Sequence, residues 1–283
     1  MRAARTRVVP SIRTAERPGT GKPSQDRVFV TSNAVVVLDG ASQPEPSDRD
    51  GGWYAGVLGN ILSRRLILKP EADLKELLAE AIAAVAARYD LQPGDSPSST
   101  VSILRWSDHA DVLVLGDSPA VALAIDGKIQ AVRDDRLQDV GRVEREKLAN
   151  TAGFSSDHHD RWRRLVEAEQ AMRNQPGGYW IAEAVPSAAA QARCVRWDVE
   201  DLDAVLVMTD GVSAGVDRYG LLAHWQSAFA VARQDPSRLV DMVHSAEAGD
   251  PNGARWRRSK RHDDKAVALV EFGKLDLPKV SKL

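Results

Sequence analysis

Apolar runs that stop at an aspartate recur along this chain. There are four such runs: 35–38 before Asp39-Gly40, 112–115 before Gly116-Asp117-Ser118, 205–208 before Thr209-Asp210-Gly211, and 266–270 after Asp263-Asp264. Continuous apolar runs of four to six residues are typical of strands buried on both faces. The pattern therefore predicts four buried strands whose ends each carry a carboxylate, and it indicates one shared site.

Further strands and four helices follow from the same reading. A hairpin is predicted for 25–30 with 35–39, and a second one, 120–125 with 128–132, turns at Asp126-Gly127. Additional strands are expected at 99–104, 111–115, 179–181 and 190–197, helices at 52–66, 71–89, 221–233 and 237–244, and a loop at 14–24. Strands and helices that come in groups favour an α+β fold over a regularly alternating parallel sheet.

Residues 134–178 differ in character from the rest of the chain. They are charged and poor in apolar residues, which predicts a helical excursion from the main fold. The basic cluster 161–164 is interpreted as a solvated helix face rather than a docking surface for phosphoproteins. The adjacent His158 and His159 have the wrong spacing for two ligands on one helix face, so both are expected at the surface.

Composition narrows the class of protein. The chain has 283 residues, of which 43% are hydrophobic and 28% charged, with a net charge of −2, and a single domain over 1–283 is expected. This balance predicts no nucleic-acid partner and no anionic membrane partner. One cysteine, Cys194, excludes an intramolecular disulfide and a cysteine metal site. With no apolar run of about eighteen residues and no signal-peptide pattern, cytoplasmic localisation is the expectation.

Convergent carboxylates with few basic residues among them repel one another unless cations neutralise them. Ligation by oxygen alone selects hard ions such as Mg²⁺ or Mn²⁺. Two such ions, bridged by one aspartate, lower the pKa of a water held between them and stabilise a phosphoryl oxygen, which is the chemistry of phosphate-ester hydrolysis. A single Asp-Gly at a strand end is more often only a turn, but four together favour the metal site.

The order of these motifs resembles the metal-dependent protein phosphatases of type 2C, in particular the bacterial members. The motifs that carry the resemblance are Gln25-Asp26, Asp39-Gly40, Ser99-Thr100, Gly116-Asp117-Ser118, Thr209-Asp210-Gly211 and Asp263-Asp264. The resemblance implies a four-layer α/β/β/α sandwich, in which two antiparallel sheets are flanked by helix pairs and two metal ions bind at one end.

The resemblance also implies a role for each matching residue. Asp39 matches the metal-bridging aspartate, and the carbonyl of Gly40 matches a ligand of the second ion. Asp210 and Asp263 match the remaining ligands of the first ion, and Asp117 with Asp210 matches the pair that holds a weaker third ion. Asp26 matches the acid that orients the attacking water, so the expected catalytic residues are Asp39 and Asp26. Asp264 stands where relatives have Asn or Asp beside the ligand.

Several positions depart from the family pattern. Gln25 replaces a glutamate, which removes one negative charge, and Ala41 replaces a histidine that protonates the leaving group in some members. A glycine pair is replaced by Ser42-Gln43, and an arginine by Pro119. The arginine that binds phosphate in the family, several residues before the position of Asp26, is absent here. Lys22 is the expected substitute, ahead of Arg13 and Arg17, and His262 is a candidate general acid.

Three functions are compatible with these residues. The leading one is hydrolysis of phosphoserine and phosphothreonine in proteins, with two or three Mn²⁺ or Mg²⁺ ions. The second keeps the chemistry but acts on a small phosphorylated metabolite, which the altered loop after Gly40 suggests. The third is a phosphoprotein-binding protein with little catalysis, which Gln25 and Ala41 suggest. The excursion at 134–178 lies where the family has a variable flap and is expected to select the substrate.

Overall fold

The computed structural model describes residues 9–19, 23–43, 45, 47–151 and 153–273. Within these ranges the strands are β1 Ser11–Arg17, β2 Asp26–Val30, β3 Ala34–Asp39, β4 Val101–Trp106, β5 His109–Leu115, β6 Ala120–Ala124, β7 Ile129–Val132, β8 Arg193–Asp198, β9 Leu202–Met208 and β10 Lys265–Glu271. The helices are α1 Gly51–Leu68, α2 Leu74–Tyr89, α3 Arg136–Asp139, α4 Arg142–Ala149, α5 Ser156–Ala171, α6 Asp210–Asp217, α7 Trp225–Gln234 and α8 Pro236–Ala248.

These strands form two antiparallel five-stranded sheets. One sheet has the order β1-β10-β9-β6-β7, and the other has the order β2-β3-β4-β5-β8. The two inner faces pack against each other through valines and alanines from both sheets, including Val35, Val37, Val205, Val207 and Ala268. Burial of this apolar surface on both faces of the central strands explains why their sequences are continuous apolar runs.

Each sheet carries helices on its outer face. Alternate residues of β3, Ala34, Val36 and Leu38, pack with α1 and α2, while Leu206 and Leu269 of the other sheet pack with α6, α7 and α8. The result is the four-layer α/β/β/α sandwich expected from the sequence. By the same alternation, Asp39 follows Val35 and Val37 onto the inner face, at the end of the space between the sheets.

Most predicted elements are confirmed, and the differences have physical causes. Residues 14–17, expected as a loop, belong to the edge strand β1, which has only two apolar residues and no fully buried one. Residues 179–181, expected as a strand, form only one isolated bridge, Arg173 with Tyr179, and a second bridge follows at Ala182 with Ser99. Helix α6 begins directly at Asp210, where no helix was predicted. His158, expected at the surface, is 6% exposed and contacts the carbonyl oxygen of Arg258 through Nε2 at 3.3 Å.

The excursion 134–178 contains α3, α4 and α5, as predicted. Its helices are tied together by the ion pair of Arg145 with Glu169, at 2.7 Å. A small apolar cluster of Val140, Tyr179 and Ile181, with Ala41 packed against it, joins the excursion to the loop after β3. The excursion therefore lies beside the end of β3 that carries Asp39. In the described part of the chain, no helix combines the length and apolar character needed to span a bilayer.

Candidate metal centre

Asp26 and Asp39 come together through the register of one hairpin. Strands β2 and β3 are antiparallel, and Asp26 is the direct partner of Asp39 in the ladder. Directly paired residues have side chains on the same face of a sheet, about 5 Å apart. Asp26 is 2% exposed, and its Oδ2 has no hydrogen-bond partner among the described residues. The sequence could not determine this register, and the structure shows that it joins the two carboxylates.

Three further aspartates of the predicted site line one cavity with Asp39. Asp117 lies in the loop between β5 and β6, Asp210 begins α6 directly after β9, and Asp263 precedes β10. Together with Asp39 they line a cavity of about 730 Å³, which the excursion flanks through residues of α5. Four strand ends that are distant in sequence therefore deliver carboxylates to one space, as the apolar runs predicted.

Hydroxyl groups fasten these strand ends to one another. Thr100 Oγ1 accepts a hydrogen bond from the backbone N–H of Asp39 at 3.1 Å and lies 2.6 Å from Ser118 Oγ. Ser99 Oγ donates to the carbonyl oxygen of Asp39 at 3.0 Å. The Ser99-Thr100 and Asp117-Ser118 motifs thus hold β3, β4 and the β5–β6 loop in a fixed relation, which positions both Asp39 and Asp117.

Two glycines at the site are required for different reasons. A Cβ at Gly40 would overlap the backbone of Gly51 at the start of α1, so Gly40 permits close packing. Gly116 has φ of +86°, a conformation that side chains disfavour, and it turns the chain into Asp117. The backbone bonds flanking Gly40, from Ala41 N to Ser98 O and from Thr100 N to Asp39 O, do not use the Gly40 carbonyl.

The carboxylates strongly perturb one another. Burial raises the pKa of Asp39 well above its usual range, and the charges of Asp26, Asp210 and Asp263 raise it further. Burial also raises the pKa of Asp26 well above its usual range. Burial and the neighbouring Asp210 raise the pKa of Asp117 to about 7. In each case desolvation is the larger cause, and the neighbouring carboxylates add to it by disfavouring a further negative charge.

Two basic side chains reach into the cluster, although few were expected there from the sequence. Lys260 Nζ donates to Asp263 Oδ1 at 2.7 Å, and an Arg218 amino group donates to Asp210 Oδ2 at 3.1 Å. Burial would raise the pKa of Asp263, but Lys260, with the charges of Lys265 and Arg218, offsets it, and the pKa is lowered. The only sequence signal for Lys260 was its place in a basic run just before Asp263.

The donor set fits hard divalent ions. Asp39, Asp117, Asp210 and Asp263 supply carboxylate oxygens, which is the oxygen ligation that Mg²⁺ and Mn²⁺ prefer. A bound cation would lower the raised pKa values of Asp39 and Asp117. A water on that cation could also donate a hydrogen bond to Asp26 Oδ2, which has no partner among the described residues. These residues could therefore hold metal ions at the end of the two sheets.

Neighbouring motif residues have structural contacts instead. Asp264 accepts hydrogen bonds from the backbone N–H groups of Gly19 and Gln25, both at 2.7 Å, and so anchors the entry to β2. The Gln25 side chain donates to Asp50 at 3.1 Å and accepts from Ser42 at 3.0 Å. The neutral amide at position 25 thus joins the start of α1 to the loop after β3.

The residues expected to bind phosphate, and the position of the missing histidine, lie in different parts of the structure. Lys22 lies outside the described residues. Arg13 and Arg17 belong to β1 and pair with Glu271 and Asp241. Ala41 packs in the apolar cluster of the excursion, where a charged histidine would be desolvated.

His262 lies away from the cavity. Its Nδ1 is 3.2 Å from Glu247 Oε2, and its ring stacks on His244. It lines a second groove of about 840 Å³, not the cavity. The groove and the cavity share Ser42, Gln43, Trp162, Ser259, Lys260 and Asp263. The two spaces therefore adjoin along these residues, and together they are called the cleft below.

Two antiparallel sheets between helix layers, with a carboxylate cluster at one end, define a class of metal-dependent hydrolase folds. The family model described as Protein phosphatase 2C matches residues 15–244. Because this match covers most of the chain, the protein belongs to the protein phosphatase 2C family, as the motif order had indicated. No curated protein sequence matches the chain.

Solved structures of the same fold agree with this membership. The phosphatase MsPP from Mycobacterium smegmatis, solved with cacodylate, is 18% identical, with a TM-score of 0.56 over 95% of this chain and 100% of that one. PppA, described as a regulatory component of T6SS in Pseudomonas aeruginosa, is 16% identical, with a TM-score of 0.58 over 94% and 99%. The catalytic domain of PstP, solved with two manganese ions, is 14% identical, with a TM-score of 0.57 over 94% and 99%. At these identities the likeness establishes the fold.

Proposed function

We propose that this protein is a metal-dependent phosphatase that hydrolyses phosphoserine and phosphothreonine in proteins. The observation that supports the proposal best is the convergence of Asp39, Asp117, Asp210 and Asp263 on one cavity, with Asp26 buried beside Asp39. Family membership points to the same chemistry. Carboxylates that lie together around one cavity and raise one another's pKa are typical of a functional site.

The ligands are assigned from the geometry of the cluster and from the family motif. Asp39 would bridge two divalent ions, with Asp210 and Asp263 on one ion and the Gly40 carbonyl on the other. Asp117 and Asp210 would hold a weaker third ion. When bound, Mn²⁺ or Mg²⁺ supplies Lewis acidity toward a phosphoryl oxygen and lowers the pKa of water.

The remaining roles fall to side chains around the cluster. Asp26, with an orphaned carboxylate oxygen beside Asp39, would accept a hydrogen bond from the attacking water and orient it toward phosphorus. Lys22 remains the predicted phosphate ligand. Arg218 also lines the cavity, and its half-exposed guanidinium can donate two hydrogen bonds to phosphoryl oxygens.

The shape of the cleft favours a protein substrate over a metabolite. The groove adjoins the cavity at Trp162 and Lys260, so the cleft offers surface far beyond the size of one phosphoryl group. A peptide on either side of a phosphoserine would find surface to contact there. The excursion 134–178 supplies Trp162, and we assign it the role of a flap that selects the substrate within a single domain.

The proposal is tested by turnover of an aryl phosphate and of a phosphopeptide. The wild type, stripped of metal with EDTA and resupplied with Mn²⁺, should hydrolyse both substrates. Asp39→Asn should lose at least about 100-fold in kcat because the bridging carboxylate is removed. Asp108→Asn is the matched control, since Asp108 is exposed in the β4–β5 turn, and it should retain wild-type rates.

The outcomes separate the three functions inferred from the sequence. A higher kcat/KM on a panel of phosphorylated metabolites than on phosphopeptides would replace the protein substrate with a small one. Tight Mn²⁺ binding without turnover of any substrate would support the phosphoprotein-binding function. Full activity in Asp39→Asn would contradict the metal centre itself.

A further inference from the structure

Lys260 places a positive charge inside the carboxylate cluster. Its Nζ lies 2.7 Å from Asp263 Oδ1, and the side chain lines the same cavity as Asp39 and Asp210. The ammonium group is therefore in direct contact with one proposed metal ligand and shares a cavity with two others.

The loop that presents Lys260 is built around one buried carboxylate. Asp250 accepts hydrogen bonds from the backbone N–H groups of Ala254, Arg255 and Trp256 at 2.8–3.2 Å. It also pairs with Arg258 at 2.8 Å, with both side chains less than 10% exposed. These contacts fold residues 250–258 into a compact turn. Lys260 lies two residues after this turn, so the contacts of Asp250 also fix the backbone position of Lys260.

The excursion supports the same loop from the other side. His158 of α5 is buried and touches the carbonyl oxygen of Arg258, while Phe154 lies under the guanidinium groups of Arg258 and Arg261 at 5.3 and 5.4 Å. The loop is thus held between α8 and α5. Lys260 is consequently supported in the position from which it contacts Asp263.

We propose that Lys260 is an internal counter-cation that competes with divalent metal for Asp263 and its neighbours and so sets the metal affinity of the centre. This inference rests on the proposed function, because it concerns the same carboxylates. A divalent ion on Asp263 would come within a few ångströms of the ammonium group, and two cations at that distance repel strongly in a partly desolvated site. A divalent ion that binds Asp263 must therefore either displace the Lys260 ammonium group or bind more weakly because of its repulsion.

The competition predicts opposite effects on the metal-free and metal-bound protein. Without metal, Lys260 neutralises part of the cluster, so its removal should lower the melting temperature of the EDTA-treated protein. With metal, its removal frees Asp263, so the rise in melting temperature on adding Mn²⁺ should be larger than in the wild type. A phosphate-binding role alone would change neither quantity.

Isothermal titration of Mn²⁺ into metal-stripped protein tests the inference. Lys260→Gln should bind Mn²⁺ at least about tenfold more tightly than the wild type. Lys260→Arg keeps the cation and should bind as weakly as the wild type. Lys128→Gln is the matched control: it removes the same charge from the exposed β6–β7 turn, where Lys128 pairs only with Asp126, and it should stay within twofold of the wild type.

Three results of the titration would contradict competition between Lys260 and the metal. Unchanged or weaker Mn²⁺ binding by Lys260→Gln would overturn the competition while leaving the metal centre intact. Equal tightening in Lys128→Gln would also overturn it, because net charge would then explain the effect. If none of the proteins binds Mn²⁺, the metal centre fails, and this inference fails with it.

Discussion

Asp26 and Asp39 are direct partners in the β2–β3 ladder, so two carboxylates share one sheet face at the end of the central core. A shift of the hairpin by one residue would move Asp26 to the helix-covered face. The register is held by the valines of both strands and by the turn in which Thr31 N donates to Ala34 O at 2.8 Å. The pairing of like charges is thus imposed by the fold, and it favours bound cations.

We predict that Asp39→Asn stabilises the metal-free protein although it abolishes turnover. Burial and the charges of Asp26, Asp210 and Asp263 disfavour the ionised Asp39, and asparagine keeps the shape without the charge. The free energy of unfolding in EDTA should rise by on the order of 1 kcal/mol. Urea denaturation with EDTA measures it. A loss of stability relative to the wild type would contradict the repulsion inferred here.

The pH dependence of stability should show the raised pKa of Asp117. In the unfolded chain this carboxyl ionises near pH 3.8, whereas in the fold its pKa is about 7. Between these values the folded state retains a proton that the unfolded state has lost. The contribution of Asp117 to the free energy of unfolding therefore decreases as pH rises through this window.

A comparison with Asp117→Asn isolates that contribution. Burial lowers the pKa of His158 and of His244, and these groups act in the opposite direction over part of the same range. The measured quantity is therefore the stability of the wild type minus that of Asp117→Asn, in EDTA, from pH 4 to pH 8. This difference should fall with rising pH, and saturating Mn²⁺ should reduce its slope. A difference independent of pH would contradict the shift.

The sequence predicted the central strands well because burial on both faces leaves a continuous apolar signal. The runs before Asp39 and Asp210 became β3 and β9, and their carboxylates met in one cavity. Strand β1 was not predicted because it lies at a sheet edge, where its mostly polar residues, such as Arg13 and Glu16, give no apolar pattern. The local pattern of apolar residues was therefore enough to predict the buried strands but not the edge strand.

Long-range contacts at the site could not be predicted in the same way. Lys260 reaches Asp263 because Asp250 folds the intervening loop and α5 packs against it, and neither contact leaves a periodic pattern. Arg218 contacts Asp210 only because α6 begins directly at the strand end. The expectation of a cluster with few basic residues was wrong. It considered only residues close to each aspartate in sequence, whereas Lys260 and Arg218 reach the cluster through the fold.

Gly211→Ala should damage the centre through close packing. Alanine normally stabilises a helix relative to glycine by up to about 1 kcal/mol. At Gly211, however, a Cβ would overlap the carbonyl oxygen of Asp264 and approach Asp263 Cβ to 3.4 Å. We expect a net destabilisation of about 1–3 kcal/mol and weaker Mn²⁺ binding, because β10 must shift.

Gly273→Ala is the control for this substitution. A Cβ at Gly273 meets no atom within 4 Å, so the change should stay within about 0.5 kcal/mol of the wild type. Urea denaturation and Mn²⁺ titration of both variants provide the measurement. Equal stability and equal metal affinity in the two alanine variants would show that α6 and β10 do not need their close contact.

Trp162→Ala should separate peptide recognition from chemistry. Trp162 projects from α5 into the cleft, where it lines both the cavity of the carboxylates and the adjoining groove. Loss of an aromatic contact worth about 1 kcal/mol should raise KM for a phosphopeptide about fivefold. A small aryl phosphate that occupies only the cavity near Asp39 should keep its kcat/KM within twofold.

A charge-bearing neighbour on the same helix supplies the control. Arg164 is exposed on α5 and does not line the cleft, so Arg164→Ala should leave both substrates unaffected. If Trp162→Ala lowered kcat/KM equally for the aryl phosphate and the phosphopeptide, α5 would be part of the catalytic geometry and not a selector. If Arg164→Ala reproduced the peptide defect, the exposed basic face of the helix would be the recognition surface.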